Sequence, residues 1–129
     1  YMETLRDWKN QTLQQVGGIY ADLNGLKKTN DTLGHEAGDA LICRMAGGLE
    51  AIFPRQAYRI GGDEFVVVLR NIPQQEFEDR VRLLRAELAQ RGVSAAVGAV
   101  WTPCTGNIED LMREADDCMY REKETMKKL

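Results

Sequence analysis

The sequence predicts an α+β fold, in which helices pack on a central, mainly antiparallel sheet of βαββαβ type. Runs of β-branched and small apolar residues alternate with segments whose apolar residues recur every three or four positions. Two predicted strands are separated by a short turn that contains two glycines. The 129 residues are enough for one hydrophobic core. We therefore expect residues 1–129 to form a single domain.

The first part of the chain predicts one strand among three helices. Tyr1–Gln15 has a loose helical pattern, and Val16–Ala21 is a strand of small and apolar residues. A short helix over Leu26–Leu33 precedes a longer one over Glu36–Phe53, which Pro54 ends. The longer helix turns an apolar stripe towards the core at Ala37, Leu41, Met45, Leu49 and Ile52.

The middle of the chain predicts a hairpin and a helix. The strands Gln56–Ile60 and Phe65–Leu69 pair across the glycine turn. The helix Gln75–Arg91 then ends at Gly92, a residue typical of the position after a helix. Its core-facing residues are Phe77, Val81, Leu84 and Leu88.

The last part of the chain predicts a strand, a turn and a helix. Val93–Trp101 is an apolar, small-residue strand, and Thr102–Gly106 is the turn that follows it. Asn107 is a candidate cap for the last helix. Its inward-facing residues are Ile108, Leu111, Met112, Ala115 and Met119.

Composition excludes several classes of function. A net charge of −3 argues against general nucleic-acid binding, which usually requires a basic surface. No apolar run approaches the roughly 20 residues of a membrane helix, so we expect a soluble, cytoplasmic domain without direct membrane contact. The full-length protein could still be tethered to a membrane. Cys43, Cys104 and Cys118 fall within apolar segments, and we interpret them as buried thiols in a reducing compartment.

Acidic residues follow two of the predicted strands. Asp22 ends the first strand, and Asp63 and Glu64 follow the two glycines of the hairpin, which permit a tight turn through positive φ and a close approach of ligand to backbone. Carboxylates at neighbouring strand ends, with the carbonyl of Leu23, are the hard oxygen ligands that Mg²⁺ accepts. A calcium-binding EF-hand loop beginning at Asp22 is excluded because its twelfth residue, Leu33, cannot chelate.

These segments together resemble the GGDEF family of diguanylate cyclases. The family pattern of an Asp-x-Asp/Asn loop, Lys, Asn-Asp, Gly-His, Gly-Asp and Gly-Gly-Asp/Glu-Glu-Phe is matched in order and spacing by DLNGLKKTNDTLGHEAGD at 22–39 and RIGGDEF at 59–65. The resemblance covers about Val16 to Lys127 and implies a ferredoxin-like, nucleotidyl cyclase palm. The family's signature turn before the first helix is absent, so the domain looks trimmed at its N-terminus.

The resemblance implies a metal site at Asp22, Leu23 and Asp63. Glu64 is implied either as a second metal ligand or as the group that accepts the 3′-hydroxyl proton, and the sequence leaves both roles open. Two Mg²⁺ or Mn²⁺ ions per active site would stabilise the attacking and leaving oxygens of phosphoryl transfer. The family often has a second Asp where this chain has Asn24, a neutral and poorer ligand.

Phosphate and guanine contacts follow from the same resemblance. Asn24, Gly25 and Leu26 lead into a helix whose backbone N–H groups can hold an anion. Basic residues at phosphate positions are Lys27, Lys123 and Lys127, the last where the family has Arg. Asn30 and Asp39 align with the family's guanine-reading residues, for which helix capping is the alternative role.

Two other positions are given no active role. His35, the only histidine, is interpreted as a structural turn residue. The family's inhibitory Arg-x-x-Asp is replaced by Ile52-Phe53-Pro54-Arg55, so we expect no inhibitory site there.

The predicted function is that of a diguanylate cyclase, a transferase of bacterial signalling that condenses two GTP into cyclic di-GMP and two pyrophosphates. One domain supplies one guanine site and one metal site, so the reaction needs a homodimer, brought together by an upstream sensory or dimerisation domain. The alternative is a catalytically idle GTP-binding or dimerisation module, favoured by Asn24, Lys127 and the short N-terminus. A polymerase-like or adenylyl cyclase-like palm is disfavoured because the guanine-reading pair is present.

Overall fold

An antiparallel sheet forms the centre of the computed structural model, which describes residues 1–9 and 11–128. Within those residues the sheet has four strands in the order β2-β3-β1-β4. The strands are β1 (Leu13–Leu23), β2 (Ala57–Arg59), β3 (Glu64–Leu69) and β4 (Ala95–Thr105). All neighbouring strands run antiparallel. The predicted α+β class and the βαββαβ order are confirmed, with β1 and β3 adjacent in the middle of the sheet.

Five helices lie within the described residues. They are α1 (Met2–Trp8), α2 (Leu26–Leu33), α3 (His35–Ile52), α4 (Gln74–Gln90) and α5 (Ile108–Lys127). The bounds of α2 are those predicted, and α3 and α4 each begin and end one residue before the predicted limits. Among these helices we find none that combines the length and apolar character required to cross a bilayer.

The helices cover both faces of the sheet. On one face, α3 and α4 pack against a cluster that includes Ile19, Val67 and Phe77. On the other, α1 and α5 pack against a cluster that includes Val66 and Met112. Because a strand directs successive side chains to opposite faces, covering both faces requires apolar residues at nearly every position of the central strands. This explains why Phe65–Leu69 is a continuous apolar run.

Three sequence predictions are wrong. The opening helix ends at Trp8 and not at Gln15, because β1 begins at Leu13, which pairs with Thr105 of β4. Asn10, within that predicted helix, lies outside the described residues. The same pairing with the start of β1 extends β4 to Thr105, so that a strand replaces most of the predicted turn at 102–106. It contains Pro103, which is tolerated because β4 has a strand on one side only among the described residues.

The third error concerns the cysteines. Cys43 and Cys104 are exposed and Cys118 is half-buried, so the interpretation as buried thiols is wrong. Cys43 lies between the buried residues Leu41 and Met45 in sequence, but it points from another side of the helix. An apolar segment does not determine which side of a helix faces the core.

An ion pair closes part of the outer edge of β4. Arg85 of α4 and Glu122 of α5 are 2.8 Å apart between Nη1 and Oε1. Arg85 Nη2 also donates to the carbonyl of Val97 at 3.2 Å, and the backbone N–H of Val97 donates to Glu122 Oε2. The two side chains thus occupy the backbone groups that a further strand would use, and they tie α5 to α4 across the sheet edge.

The close packing of α5 on β4 depends on Gly98. A Cβ atom at this position would overlap the backbone carbonyl oxygen of Ala115 and the backbone nitrogen of Met119. Backbone atoms in the middle of a helix cannot rotate away as a side-chain end can. A glycine is therefore required where the helix crosses the strand.

We expect Gly98→Ala to lower the free energy of unfolding by about 1–3 kcal/mol, because α5 must move off β4 to admit the methyl group. Urea unfolding followed by circular dichroism measures this change. Gly106→Ala is the matched control, since a Cβ there meets no described atom within 4 Å, and it should change stability by less than about 0.5 kcal/mol. Equal stability of the two variants would contradict the packing argument.

Candidate functional site

The two acidic segments meet at one end of the central strand pair. In the register of β1 with β3, Asp22 lies opposite Glu64. The backbone N–H of Leu23 donates to the carbonyl of Asp63 at 2.8 Å. We call Asp22, Asp63 and Glu64 the acidic corner. The expected convergence of Asp22 and Asp63 is therefore present at the level of the backbone.

The turn before Asp63 is held by a side chain that sequence reasoning missed. Arg59 donates from Nε to the carbonyl of Gly61 at 3.0 Å and from Nη2 to the carbonyl of Gly62 at 2.8 Å. Neither glycine uses the positive φ that this residue type permits. A Cβ on Gly62 would meet no described atom within 4 Å. The turn thus leaves open space beside the backbone next to the acids.

Asp22 is buried and carries a paired and an unpaired oxygen. Its relative exposure is 8%, and no other charged residue among those described is buried. Oδ2 accepts a hydrogen bond from Lys123 Nζ at 2.6 Å. Oδ1 is buried without a hydrogen-bond partner among the described residues. A buried carboxylate oxygen without a donor is costly unless a cation or another donor satisfies it.

The acids of this corner repel one another. Burial, followed by the charges of Asp22 and Asp63, raises the pKa of Glu64 above its ordinary value, and Lys123 opposes the rise. The pKa of Asp116 on α5 is raised as well, by burial and then by the charges of Asp117 and Asp22. Excess negative charge in a half-buried place favours binding of a proton or a metal ion.

The donor atoms of the corner fit a hard divalent cation in type. The side-chain donors are all carboxylate oxygens, and Oδ1 of Asp22 is buried without a hydrogen-bond partner among the described residues. Within residues 1–9 and 11–128, however, no three His, Cys, Asp or Glu side chains are already gathered around a common point that could hold a metal. Lys123 Nζ stands at the carboxylate of Asp22 instead.

A cleft of about 610 Å³ opens beside the acidic corner. Several predicted phosphate and metal residues line it together, namely Leu23, Asn24, Gly25, Leu26, Lys27, Asp63 and Lys123. Gly25, with φ of 77°, is the N-cap of α2, so the first backbone N–H groups of that helix begin at the cleft. Lys127 is not among the lining residues, and it pairs with Glu124 at 3.3 Å on the surface.

The side chain of Asn24 is fixed outside the acidic corner. Its Nδ2 donates to Ser94 Oγ at 3.1 Å and lies 3.3 Å from the sulfur of Met126. Its backbone N–H donates to the carbonyl of Ser94 at 2.9 Å. The residue therefore anchors the loop to the start of β4 and the end of α5.

Asn30 and Asp39 lie on α2 and α3, which pack against each other. Asn30 Oδ1 lies so close to Gly38 that a Cβ there would overlap it. Asp39, the next residue, is exposed. The two helices are capped by Gly25 and Gly34 without side-chain cap bonds, so the helix-capping alternative for Asn30 and Asp39 is wrong.

The two positions to which the sequence assigns no active role are His35 and Arg55. His35 is the exposed first residue of α3. Arg55, in the segment that replaces the family's inhibitory motif, has φ of 63°, and its backbone N–H donates to the carboxylate of Glu50.

Comparison with known proteins identifies relatives across almost the whole chain. The family model "Diguanylate cyclase, GGDEF domain" matches residues 2–129. The chain is 33% identical over 133 aligned residues to diguanylate cyclase DgcS of Shewanella oneidensis, covering 95% of this chain and 45% of that protein. It is 34% identical to cyclic di-GMP phosphodiesterase PdeR of Escherichia coli K12, over 85% of this chain and 18% of that protein.

The fold matches solved structures. The active GGEEF domain of a diguanylate cyclase from Vibrio cholerae superposes with a TM-score of 0.74 at 25% identity, covering 87% of this chain and 78% of that one. Since this chain spans less than half the length of DgcS and PdeR, the activities of those whole proteins do not transfer to it directly.

The raised pKa of Glu64 predicts a pH-dependent stability. A raised pKa means that the folded chain binds this proton more tightly than the unfolded chain, so stability falls as pH rises from the ordinary to the raised pKa. With chelator present, Glu64→Gln should therefore be more stable than the wild type at about pH 7, and the difference should vanish near pH 4. Urea unfolding at both pH values measures it.

Glu114→Gln is the control for this experiment, because Glu114 is exposed on α5. Its free energy of unfolding should equal that of the wild type at both pH values. A Glu64→Gln variant that is less stable than the wild type at neutral pH would contradict the interpretation.

Proposed function

The chain belongs to the GGDEF family of diguanylate cyclase domains, and we propose that it condenses two molecules of GTP into cyclic di-GMP and two pyrophosphates. The observation that carries this proposal is the cleft beside the acidic corner, which is lined by Asp63 of the corner and by Lys27 and Lys123. Metal-binding acids and phosphate-binding cations in one open site suit nucleotidyl transfer.

The residues of the cleft would hold the triphosphate. The loop Asn24–Leu26 presents the N-terminus of α2, where free backbone N–H groups and the helix dipole favour an anion. Lys27 and Lys123 add full positive charges on the walls of the cleft. Lys127 would have to leave Glu124 to reach a phosphate, so we assign it a secondary role.

Asp22, the carbonyl of Leu23 and Asp63 would hold a divalent cation, Mg²⁺ or Mn²⁺. When bound, such ions stabilise the charge that develops on the α-phosphate and the leaving pyrophosphate. The unpaired Oδ1 of Asp22 supports this assignment, because a buried carboxylate oxygen without a hydrogen-bond donor can be satisfied by a hard cation. A second ion could use Glu64.

Of the three acids in the corner, Glu64 is the one that we assign to accept the proton of the attacking 3′-hydroxyl. Burial and the neighbouring acids raise its pKa, which brings the carboxylate closer to the proton affinity that a general base needs. In each half-reaction the hydroxyl oxygen forms a bond to the α-phosphorus of the partner's GTP, the bond to pyrophosphate breaks, and the proton passes to the carboxylate.

Asn30 and Asp39 would read guanine. A carboxylate can accept both N1–H and N2–H₂ of guanine, whereas the equivalent edge of adenine presents an acceptor. Support comes from the close packing of Asn30 on Gly38, which fixes its amide, and from the exposure of Asp39.

The reaction requires two chains. Each chain offers one acidic corner and one candidate guanine site, so each 3′-hydroxyl must attack a GTP held by a second copy. A dimerising or sensory segment elsewhere in a longer cytoplasmic or membrane-tethered protein would supply the encounter. We propose no inhibitory site at 52–55, where Ile52 replaces the Arg and Arg55 replaces the Asp of the family motif.

A second candidate function is that of an idle GTP-binding or dimerisation module. Asn24 favours it, because a neutral amide, held through Nδ2 by Ser94 Oγ, stands where the family often has a second Asp. The relationship to a phosphodiesterase is compatible with such a role. The intact Asp22, Asp63 and Glu64 oppose it.

A turnover experiment separates the two functions. The chain fused to a parallel coiled coil is incubated with Mg²⁺ and GTP, and cyclic di-GMP is measured by chromatography. We expect product, and we expect Asp63→Asn to lower the rate by roughly a hundredfold or more, because a charge that acts on the transition state is lost. Asp79→Asn, which removes an exposed carboxylate on α4, should retain the rate. GTP binding without product in the wild type would favour the idle module.

The guanine assignment predicts an effect of Gly38→Ala on nucleotide binding. The new methyl group would displace the amide of Asn30, and we expect the affinity for GTP to fall about tenfold, the cost of one hydrogen bond left unmade. Titration calorimetry with a non-hydrolysable GTP analogue measures it. Gly47→Ala on the same helix meets only the flexible guanidinium of Arg91 and should bind as the wild type does. Unchanged affinity in Gly38→Ala would refute the role of Asn30.

A further inference from the structure

Lys123 has two candidate partners that it cannot serve at once. Its ammonium donates to Asp22 Oδ2 at 2.6 Å, and both side chains are largely buried, with 27% and 12% of their surfaces exposed. The same lysine lines the cleft in which a triphosphate would bind. A lysine on a flexible stem can reach either partner, but one ammonium cannot neutralise a buried carboxylate and a phosphate in different places.

The ion pair also places a cation where a metal would bind. Asp22 is the buried acid of the corner, and Lys123 neutralises one of its oxygens while the other has no partner among the described residues. A positive charge beside a carboxylate weakens its binding of other cations, by roughly ten- to a thousandfold in the case of the proton. With Lys123 in place, a free divalent ion therefore meets repulsion at this corner.

We propose that Lys123 is an exchangeable counter-ion of Asp22, which keeps the corner from binding free divalent ions and moves to the phosphates when nucleotide and metal arrive together. The inference rests on the proposed function in taking the corner as a metal site. It goes further by assigning Lys123 a role in the order of binding: the metal enters with the nucleotide and not before it.

The alternative is a purely structural ion pair. In that case Lys123 compensates the buried charge of Asp22, and its removal destabilises the fold without making a metal site accessible. Mn²⁺ binding in the absence of nucleotide separates the two, because a structural pair predicts no gain in metal affinity.

The test is a titration of the chain with Mn²⁺ alone, with free ion measured by electron paramagnetic resonance. Lys123→Met should bind Mn²⁺ at least about tenfold more tightly than the wild type, and Asp22→Asn/Lys123→Met should lose this gain. Arg121→Met, which removes the same charge from an exposed position on α5, should bind as the wild type does. In Lys123→Met, Mn²⁺ should also raise the melting temperature.

Equal Mn²⁺ affinity in the wild type and Lys123→Met would overturn the proposal. If Lys123→Met does not fold without metal, Lys123→Gln serves in its place, and a Gln variant that binds Mn²⁺ no better than the wild type overturns it equally. No GTP or turnover enters this measurement. If the wild type makes cyclic di-GMP but Lys123→Met binds Mn²⁺ no more tightly than the wild type, only the exchange of Lys123 is refuted. If Lys123→Met binds Mn²⁺ more tightly but the wild type makes no cyclic di-GMP, only the cyclase function is refuted.

Discussion

The site depends on one register, the pairing of β1 with β3 that places Asp22 opposite Glu64. A slip by one residue would send every side chain of β1 to the other face of the sheet. Asp22 would then face the cluster packed by α3 and α4, and Leu23 would face α5. Burial on both faces prevents this slip, because Ile19 and Val16, which are fully buried, belong to different clusters. The core and the acidic corner are thus fixed by the same constraint.

The position of α5 completes the site from the other side. Gly98 lets the helix backbone lie directly on β4, and the ion pair of Arg85 with Glu122 ties the same part of α5 to α4. Lys123 lies next to Glu122 in α5, and its ammonium pairs with Asp22 at the end of β1. Both contacts hold the part of α5 that leads to this ammonium.

Local patterns predicted most of the fold, and tertiary contacts account for the errors. The helices α3 and α4 follow from apolar spacing, and Asn107 does accept a hydrogen bond from the N–H of Glu109 as a cap. The start of β1 could not be predicted, because Leu13 becomes a strand residue only through pairing with Thr105, far along the chain. The family motif located the acids and the cleft loop. It gave no sign that Lys123 rests on Asp22, that Asn24 is held by Ser94, or that Arg59 supports the turn, since each depends on side chains brought together by folding.

The burial of Asp22 explains why the corner needs a cation at every stage. A residue with 8% of its surface exposed has lost most of its hydration, and its carboxylate has a donor on one oxygen and none among the described residues on the other. An exposed acid would tolerate solvent as its partner and would need neither lysine nor metal. Burial makes lysine and metal alternatives to each other, because two cations held on one buried carboxylate repel each other strongly where water does not screen them. Burying the negative charge of Asp22 in the sheet is unfavourable without a cation. The lysine of α5 therefore pairs with the acid at the end of β1, opposite Glu64 of β3.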